Sequence, residues 1–372
     1  MTTSIWEHFS ILPDPRVQRT QLHSLEDILV VALCAVICGA ETWVDIAQFG
    51  RAKEAWFRTF LALPHGIPSH DTFGRVFAAL DTQAFEKAFQ NWVADIAGSS
   101  AGKLIAIDGK TIRRSLDRAG GRAAIHLVSA WVHENHAVFG QLKVEDKSNE
   151  ITAIPKLLEM LDLQEATVTI DAIGCQKEIA QKVRDRQGHY VLAVKANQGT
   201  LYDDIRLFLD DAVTRDFQGI EHDAYEQTEK GHGRLETRRC WTTGVIDWLK
   251  SRHEWAGLQS IAMVESRRQI GESVSTERRY FISSLPAHTA QRIGQAVRNH
   301  WCVENELHWS LDVCFGEDQS RVRIGNAAEN LSRVRRLALM LLKQETTAKV
   351  GIKAKRLKAG WDENYLLQVL KI

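Results

Sequence analysis

At 372 residues the chain is long enough for two or three domains. Its 44% hydrophobic and 25% charged content is that of a soluble globular protein, and its formal net charge of zero excludes a uniformly basic DNA coat while leaving room for a local basic face. The six cysteines form no C-x-x-C pair, which argues against a zinc ribbon or a disulfide framework and fits free thiols in the cytoplasm.

The first 98 residues read as all-helical. Pro13 and Pro15 mark a turn-rich entry, and Ser24 with Asp27 caps a helix over the apolar run Ile28 to Ala40. That run is too short to cross a bilayer and is no signal peptide, so no membrane partner is expected. Trp43, Ile46, Ala47 and Phe49 recur at helical spacing, a kink is expected near Gly50, and Ser69 or Asp71 opens a further helix. Two helices across a short Gly/Pro turn could read DNA as a helix-turn-helix or simply complete a bundle.

GSSAG, residues 98–102, is the expected linker. Strand texture follows. LIAID ends in Asp108, with Lys110, Arg113 and Arg114 behind it as cations suited to phosphate. IHLVSAWVH and AVFGQLKV form a hairpin turning near Glu134 and Asn135. ITAIPKLLEMLDL is a helix with Pro155 expected in its first turn, and ATVTID is a strand ending in Asp171. A helix, the strand YVLAVK and an acidic amphipathic helix over 200–217 come next. Residues 218–285 read as a β-rich insertion, and helices resume from 287. The pattern is an α/β mixed sheet flanked by helices.

Three acids stand out. Asp108 and Asp171 end apolar strands. Glu304 falls on the stripe Ile293, Val297, Trp301, Leu307, Leu311 of a late helix, while Glu306 faces away. A carboxylate among core positions needs a cation. A salt bridge to Arg298 or Arg333 would serve, and so would a metal. His300, Glu304 and His308 at i, i+4 and i+8 could offer zinc ligands, but the HExxH pattern is absent. If the three acids meet, an oxygen-rich site favours Mg²⁺ or Mn²⁺, with two ions about 3.5–4 Å apart for in-line displacement at phosphorus. No phosphate-binding P-loop and no G-x-S-x-G occurs. Lys195, Asn197 and Gln198 follow a strand close to this site, and His232, Arg234, Arg238 and Arg239 sit in a hairpin. Each set could contact DNA or form surface ion pairs. Between Ser320 and Lys358 eleven Lys and Arg face two Glu, which suggests a basic face for a polyanion or a solvated helix face and tail.

IAIDGKTIRRS, TIDAIGCQ, VKANQ, GHGRLETR and HWCVENELHWSLDVCFGEDQSRVR together resemble the DDE transposases of bacterial insertion sequences, in the H-repeat-associated branch. The resemblance covers nearly the whole chain. It implies an associated helical region over 1–98, a ribonuclease-H-like catalytic region over 99–345 and a basic tail over 346–372. It also implies Asp108, Asp171 and Glu304 as the catalytic, metal-holding triad. The partners it implies are double-stranded DNA, as terminal inverted repeats and target DNA, and a second copy of the chain in a homodimer on paired ends. The wider group places Tyr, Arg and Lys around its glutamate; here those positions hold Val297, His300 and Leu311, so His300, His308, Lys195 or Arg321 would have to substitute. A nuclease of the same core without strand transfer, and an inactive DNA-binding relic, are the alternatives.

Overall fold

The computed structural model describes residues 5–371 apart from 117–122, 146–147 and 232. Six helices come first: α1 (Ile5–Ser10), α2 (Leu25–Ile37), α3 (Trp43–Ala52), α4 (Glu54–Phe57), α5 (His70–Ala79) and α6 (Thr82–Ala97). The Ser24 hydroxyl caps α2 by accepting from Asp27 N at 2.9 Å. Every α2 residue except Glu26 is buried, because apolar side chains surround the whole helix and neighbours cover each face. None of the described helices is long and apolar enough to cross a membrane.

The strands are β1 (Leu104–Thr111), β2 (His126–Val132), β3 (Ala137–Lys143), β4 (Thr167–Ile170), β5 (His189–Val194), β6 (Asp223–Gly231), β7 (Arg234–Thr243), β8 (Ser260–Ile270) and β9 (Ser273–Ser283). Among the described residues they form one nine-stranded sheet in the order β3-β2-β1-β4-β5-β9-β8-β7-β6. β1, β4 and β5 run parallel, and β2, β3 and β9 are antiparallel additions. α7 (Glu150–Glu159) and α8 (Lys177–Asp185) are the parallel crossovers, and α9 (Gly199–Thr214) leads into β6.

Residues 218–285 hold β6 to β9, and Tyr280–Ser283 of β9 pair with β5, so the main sheet continues into this β-rich stretch. The first half of β9 is exposed and its last four residues are buried, so the hairpins project from the body while their roots share its core. Pro155 lies inside α7, beyond its first turn.

The basic C-terminal stretch also differs from its expectation. α10 (Ala290–Cys302) runs through a π-helical turn, Val303–His308, into α11 (Trp309–Phe315); α12 (Ala327–Gln344), α13 (Ile352–Trp361) and α14 (Glu363–Leu370) follow. Residues 346–372 thus hold two packed helices, with Ala359, Tyr365, Leu366, Val369 and Leu370 buried. Five of the eleven cations, Arg333, Arg335, Arg336, Lys355 and Arg356, are buried as well. Arg333 Nε donates to Glu86 Oε2 of α6 at 2.7 Å and its Nη2 to Glu329 Oε1 at 2.7 Å, while Glu86 Oε1 accepts from Gln141 N of β3 at 2.8 Å. Arg336 pairs with the fully buried Glu317 at 3.1 Å. Arg356 donates to the Val36 carbonyl at the end of α2, at 2.8 Å. These cations fasten α12 and α13 to the first helices and the sheet; they do not present a charged surface.

Candidate active site

Register places the first two acids. Ile107 of β1 pairs with Ile170 of the parallel β4, so Asp108 and Asp171 are the next residues on adjacent strands, at one end of the sheet. α10 lies across the sheet with Ile293, Ala296 and Val297 buried against Val191, Cys240 and Phe281. The π-helical turn then breaks the 3.6-residue stripe. Val303, Leu307 and His308 turn inward. Trp301, expected in the core, is 49% exposed, and the Glu304 side chain is 57% exposed. Asp108, Asp171 and Glu304 line one cavity of about 340 Å³ together with Thr169, Lys195, Arg279, His300 and Trp301.

The Asp108 carboxyl is largely buried and accepts from its neighbour Gly109 N at 2.9 Å. Burial pushes it up to about 6, with Asp171 and Glu150 adding like charge and His308 opposing. Asp171 is also raised, first by burial and then by Glu150, although the Ile173 and Gly174 amides and Lys195 oppose the shift. His308 is buried, its Nδ1 3.1 Å from Glu304 Oε2 and 3.5 Å from Asp108 Oδ2. That hydrogen bond holds the Glu304 carboxyl below its ordinary value against partial burial. Ligand atoms of Asp108, Glu304 and His308 lie within 4.8 Å of one another. Two carboxylates and an imidazole so close together suit a divalent cation.

Glu304 does not pair with Arg298 or Arg333, which go to Glu229 at 3.4 Å and to Glu86; its partner is His308. The zinc pattern does not hold, since His300 Nδ1 turns to Thr169 Oγ1 at 3.0 Å. Burial and Arg279 push His300 down to about 4, so it is neutral at pH 7 and offers no phosphate cation.

The other candidate residues scatter. Lys195 is exposed on the cavity rim. Lys110 is buried against Asp312 at 2.5 Å and Asp318 at 3.5 Å, and the exposed Arg113 also reaches Asp318. Those two cations hold β1 to the turn after α11. Arg114 is exposed. Asn197 and Gln198 donate to the carbonyls of Ala172 and Cys175, bracing the loop beyond Asp171. Arg234 lies 3.8 Å from Glu236, Arg238 pairs with Glu236 and Glu229, and Arg239 pairs with Glu226, so this hairpin neutralises its own charge. His232 lies outside the described residues. Arg321 lines a different, larger cavity of about 960 Å³, between α5 and the loop before α12.

Sequence reasoning missed Glu150. It opens α7, pairs with His126 at 2.7 Å, and places its charge beside both aspartates. A Cβ on Gly109 would meet Glu150 Oε1 at 2.1 Å and His126 Nε2 at 2.7 Å, so any other residue there would push this pair aside. The glycine after Asp108 was the available signal. Arg279 over the Trp301 ring, 5.6 Å from its centroid, was also missed, because the π-helical turn hides it.

Comparison with known proteins places the chain in a family. Residues 99–341 match the family model described as "Transposase DDE domain", and residues 6–93 match "DDE_Tnp_1-associated". The chain is 43% identical over 371 residues to "Putative transposase YncI" of Escherichia coli O157:H7, covering 99% of this chain and 94% of that one. It is 42% identical over 371 residues to "H repeat-associated putative transposase YhhI" of Escherichia coli K12, covering 98% and 97%. Among solved structures it aligns with a piggyBac transposase synaptic complex with hairpin DNA at 11% identity and a TM-score of 0.40, over 98% of this chain and 75% of that one, a likeness too loose to support an argument.

Proposed function

This chain belongs to the DDE transposase family, in its H-repeat-associated branch, and from that premise we propose that it cuts phosphodiester bonds at the ends of a DNA element and joins the freed 3′-hydroxyls to target DNA. The observation that carries the reading is the meeting of Asp108, Asp171 and Glu304, from three distant parts of the chain, around one cavity.

The family generally works with divalent metal ions; Asp108 and Glu304 lie in ligand reach of each other beside His308, and Asp171 lines the same cavity, so their carboxylates suit two Mg²⁺, with Mn²⁺ as a substitute. Asp108 and Asp171 would share them and Glu304 would complete the second. When bound, the ions polarise the scissile phosphate and favour the ionised form of the attacking oxygen. His308 orients Glu304 toward Asp108, and Gly109 leaves room for the Glu150–His126 pair beneath. Lys195 and Arg114 are exposed cations available to the DNA backbone, and Trp301 offers an aromatic face at the cavity.

We read strands β1 to β5 as a ribonuclease-H-like core, residues 99–345 as the catalytic region, and the helices of 1–98 as the part that grips element ends. The working form is a homodimer on paired inverted repeats, in the cytoplasm. The experiment supplies pre-cut 3′-hydroxyl ends and target DNA in Mg²⁺. Joined products are expected from the native chain, and from Asp108→Asn none, with gel-shift binding retained. Cleavage of intact ends without any joining would leave a nuclease; equal joining by Asp108→Asn would remove the assignment.

A further inference from the structure

On the far side of the π-helical turn from Glu304, a second group of metal-type ligands converges. The β2–β3 turn is His133-Glu134-Asn135-His136, and His136 adopts the left-handed conformation, φ 48° and ψ 41°. A non-glycine residue seldom takes that conformation. It aims the His136 ring at the helix, with Nδ1 2.9 Å from Glu306 Oε2. His133 Nδ1 lies 3.6 Å from Glu306 Oε1, buried and without a hydrogen-bond partner. Ligand atoms of these three residues all lie within 4.8 Å of one another. Cys302 precedes Glu306 by four residues; burial and then that carboxylate push its thiol up to about 11, and its sulfur lies outside the three-ligand cluster.

We propose that His133, His136 and Glu306 form a binding site for a zinc-class divalent cation, distinct from the acid cluster, with the Cys302 thiol turning in as the fourth donor. Two imidazoles, a carboxylate and a thiolate make a four-donor set of the kind zinc takes, whereas Mg²⁺ and Mn²⁺ prefer oxygen. Tetrahedral coordination at about 2.0–2.1 Å places nitrogen and oxygen donors about 3.3 Å apart. The observed separations of 2.9 and 3.6 Å bracket that value. Binding releases the Cys302 proton to solvent as the sulfur–metal bond forms, with no change of oxidation state. Lys343, 3.3 Å from Glu306 Oε2, balances the carboxylate in the metal-free chain and keeps its place over the Trp131 ring when the cation enters. The bound ion would pin the hairpin turn to the helical segment that carries Glu304, two residues away.

The test uses the full chain, stripped of metal and titrated with Co²⁺. One equivalent is expected to give the intense visible absorption of a four-coordinate site with a near-ultraviolet thiolate band, and added Zn²⁺ should displace it. Both features should persist in Asp108→Asn, which separates this site from the acid cluster. His136→Asn, which tolerates the left-handed turn, should weaken Co²⁺ at least tenfold. Cys302→Ser should remove the thiolate band and keep the visible one, and this reading stands even if the histidine variant misfolds. A weak six-coordinate spectrum, or a thiolate band unchanged in Cys302→Ser, would overturn the proposal.

Discussion

Replacing Arg333 by Met tests whether the C-terminal cations are structural. Arg333 and Glu86 are each 2% exposed and joined at 2.7 Å, with Glu329 as the second acid. Methionine fills much of the volume but leaves the Glu86 charge buried with only two neutral donors, the Gln141 amide at 2.8 Å and the Gln90 side chain at 3.4 Å. Breaking one side of a buried ion pair costs about 3–5 kcal/mol, far more than an exposed pair would. The variant also acquires a pH signature. Burial already raises the Glu86 carboxyl in the native chain, and Arg333 is the largest influence opposing it. An acid raised on folding binds more protons folded than unfolded, so its contribution to stability falls as pH rises from the ordinary carboxylate range through its folded value. Removing Arg333 raises Glu86 further and extends that window upward. Urea unfolding followed by circular dichroism should therefore show a large loss at pH 8 and a smaller one near pH 5. A native midpoint at both values, with DNA binding lost instead, would refute the reasoning and restore these cations to the surface.

Three further outcomes follow from the site. Gly109→Ala should sharply reduce DNA cleavage, because its Cβ would displace Glu150 and His126 from beneath Asp108; native turnover in the same Mg²⁺ assay would contradict that packing. Lys110→Met, which leaves Asp312 and Asp318 facing each other without their shared cation, should cost about 3 kcal/mol in denaturant unfolding and leave the salt dependence of DNA binding unchanged. Lys195→Ala should do the reverse: unfolding unchanged, and the slope of log affinity against log salt reduced by about 1 in a titration, the signature of one lost phosphate contact.

The parallel strands were legible because each is a short apolar run ending in Asp, and side-chain pattern and register are both local properties. The hairpin and the first helices were readable for the same reason, with Ser24 and Ser69 capping as their spacing suggests. What failed were inferences that required a partner from elsewhere. A count of Lys and Arg between Ser320 and Lys358 cannot reveal that Glu86, 247 residues before Arg333, will neutralise it. The stripe assumed an uninterrupted α-helix; Trp301, in the last turn of α10, is exposed, and Val303, which opens the π-helical turn after it, is buried. Lys110 looked like a phosphate cation because Asp312 and Asp318 are remote in sequence. The three acids stood out in the sequence because each interrupts an apolar pattern, and the structure lines one cavity with them even though the Glu304 side chain is 57% exposed. Glu150 did not stand out, because a glutamate in the first turn of a helix is ordinary.

The most direct measurement of the central claim is a metal-specificity switch at the first aspartate. Asp108→Cys replaces an oxygen ligand by a softer sulfur, which Mn²⁺ accepts more readily than Mg²⁺. With labelled DNA carrying the element's own terminal repeats, the variant should be inactive in Mg²⁺ and recover cleavage in Mn²⁺. Native-level cleavage in Mg²⁺, or no gain on moving to Mn²⁺, would contradict a metal-holding role for Asp108.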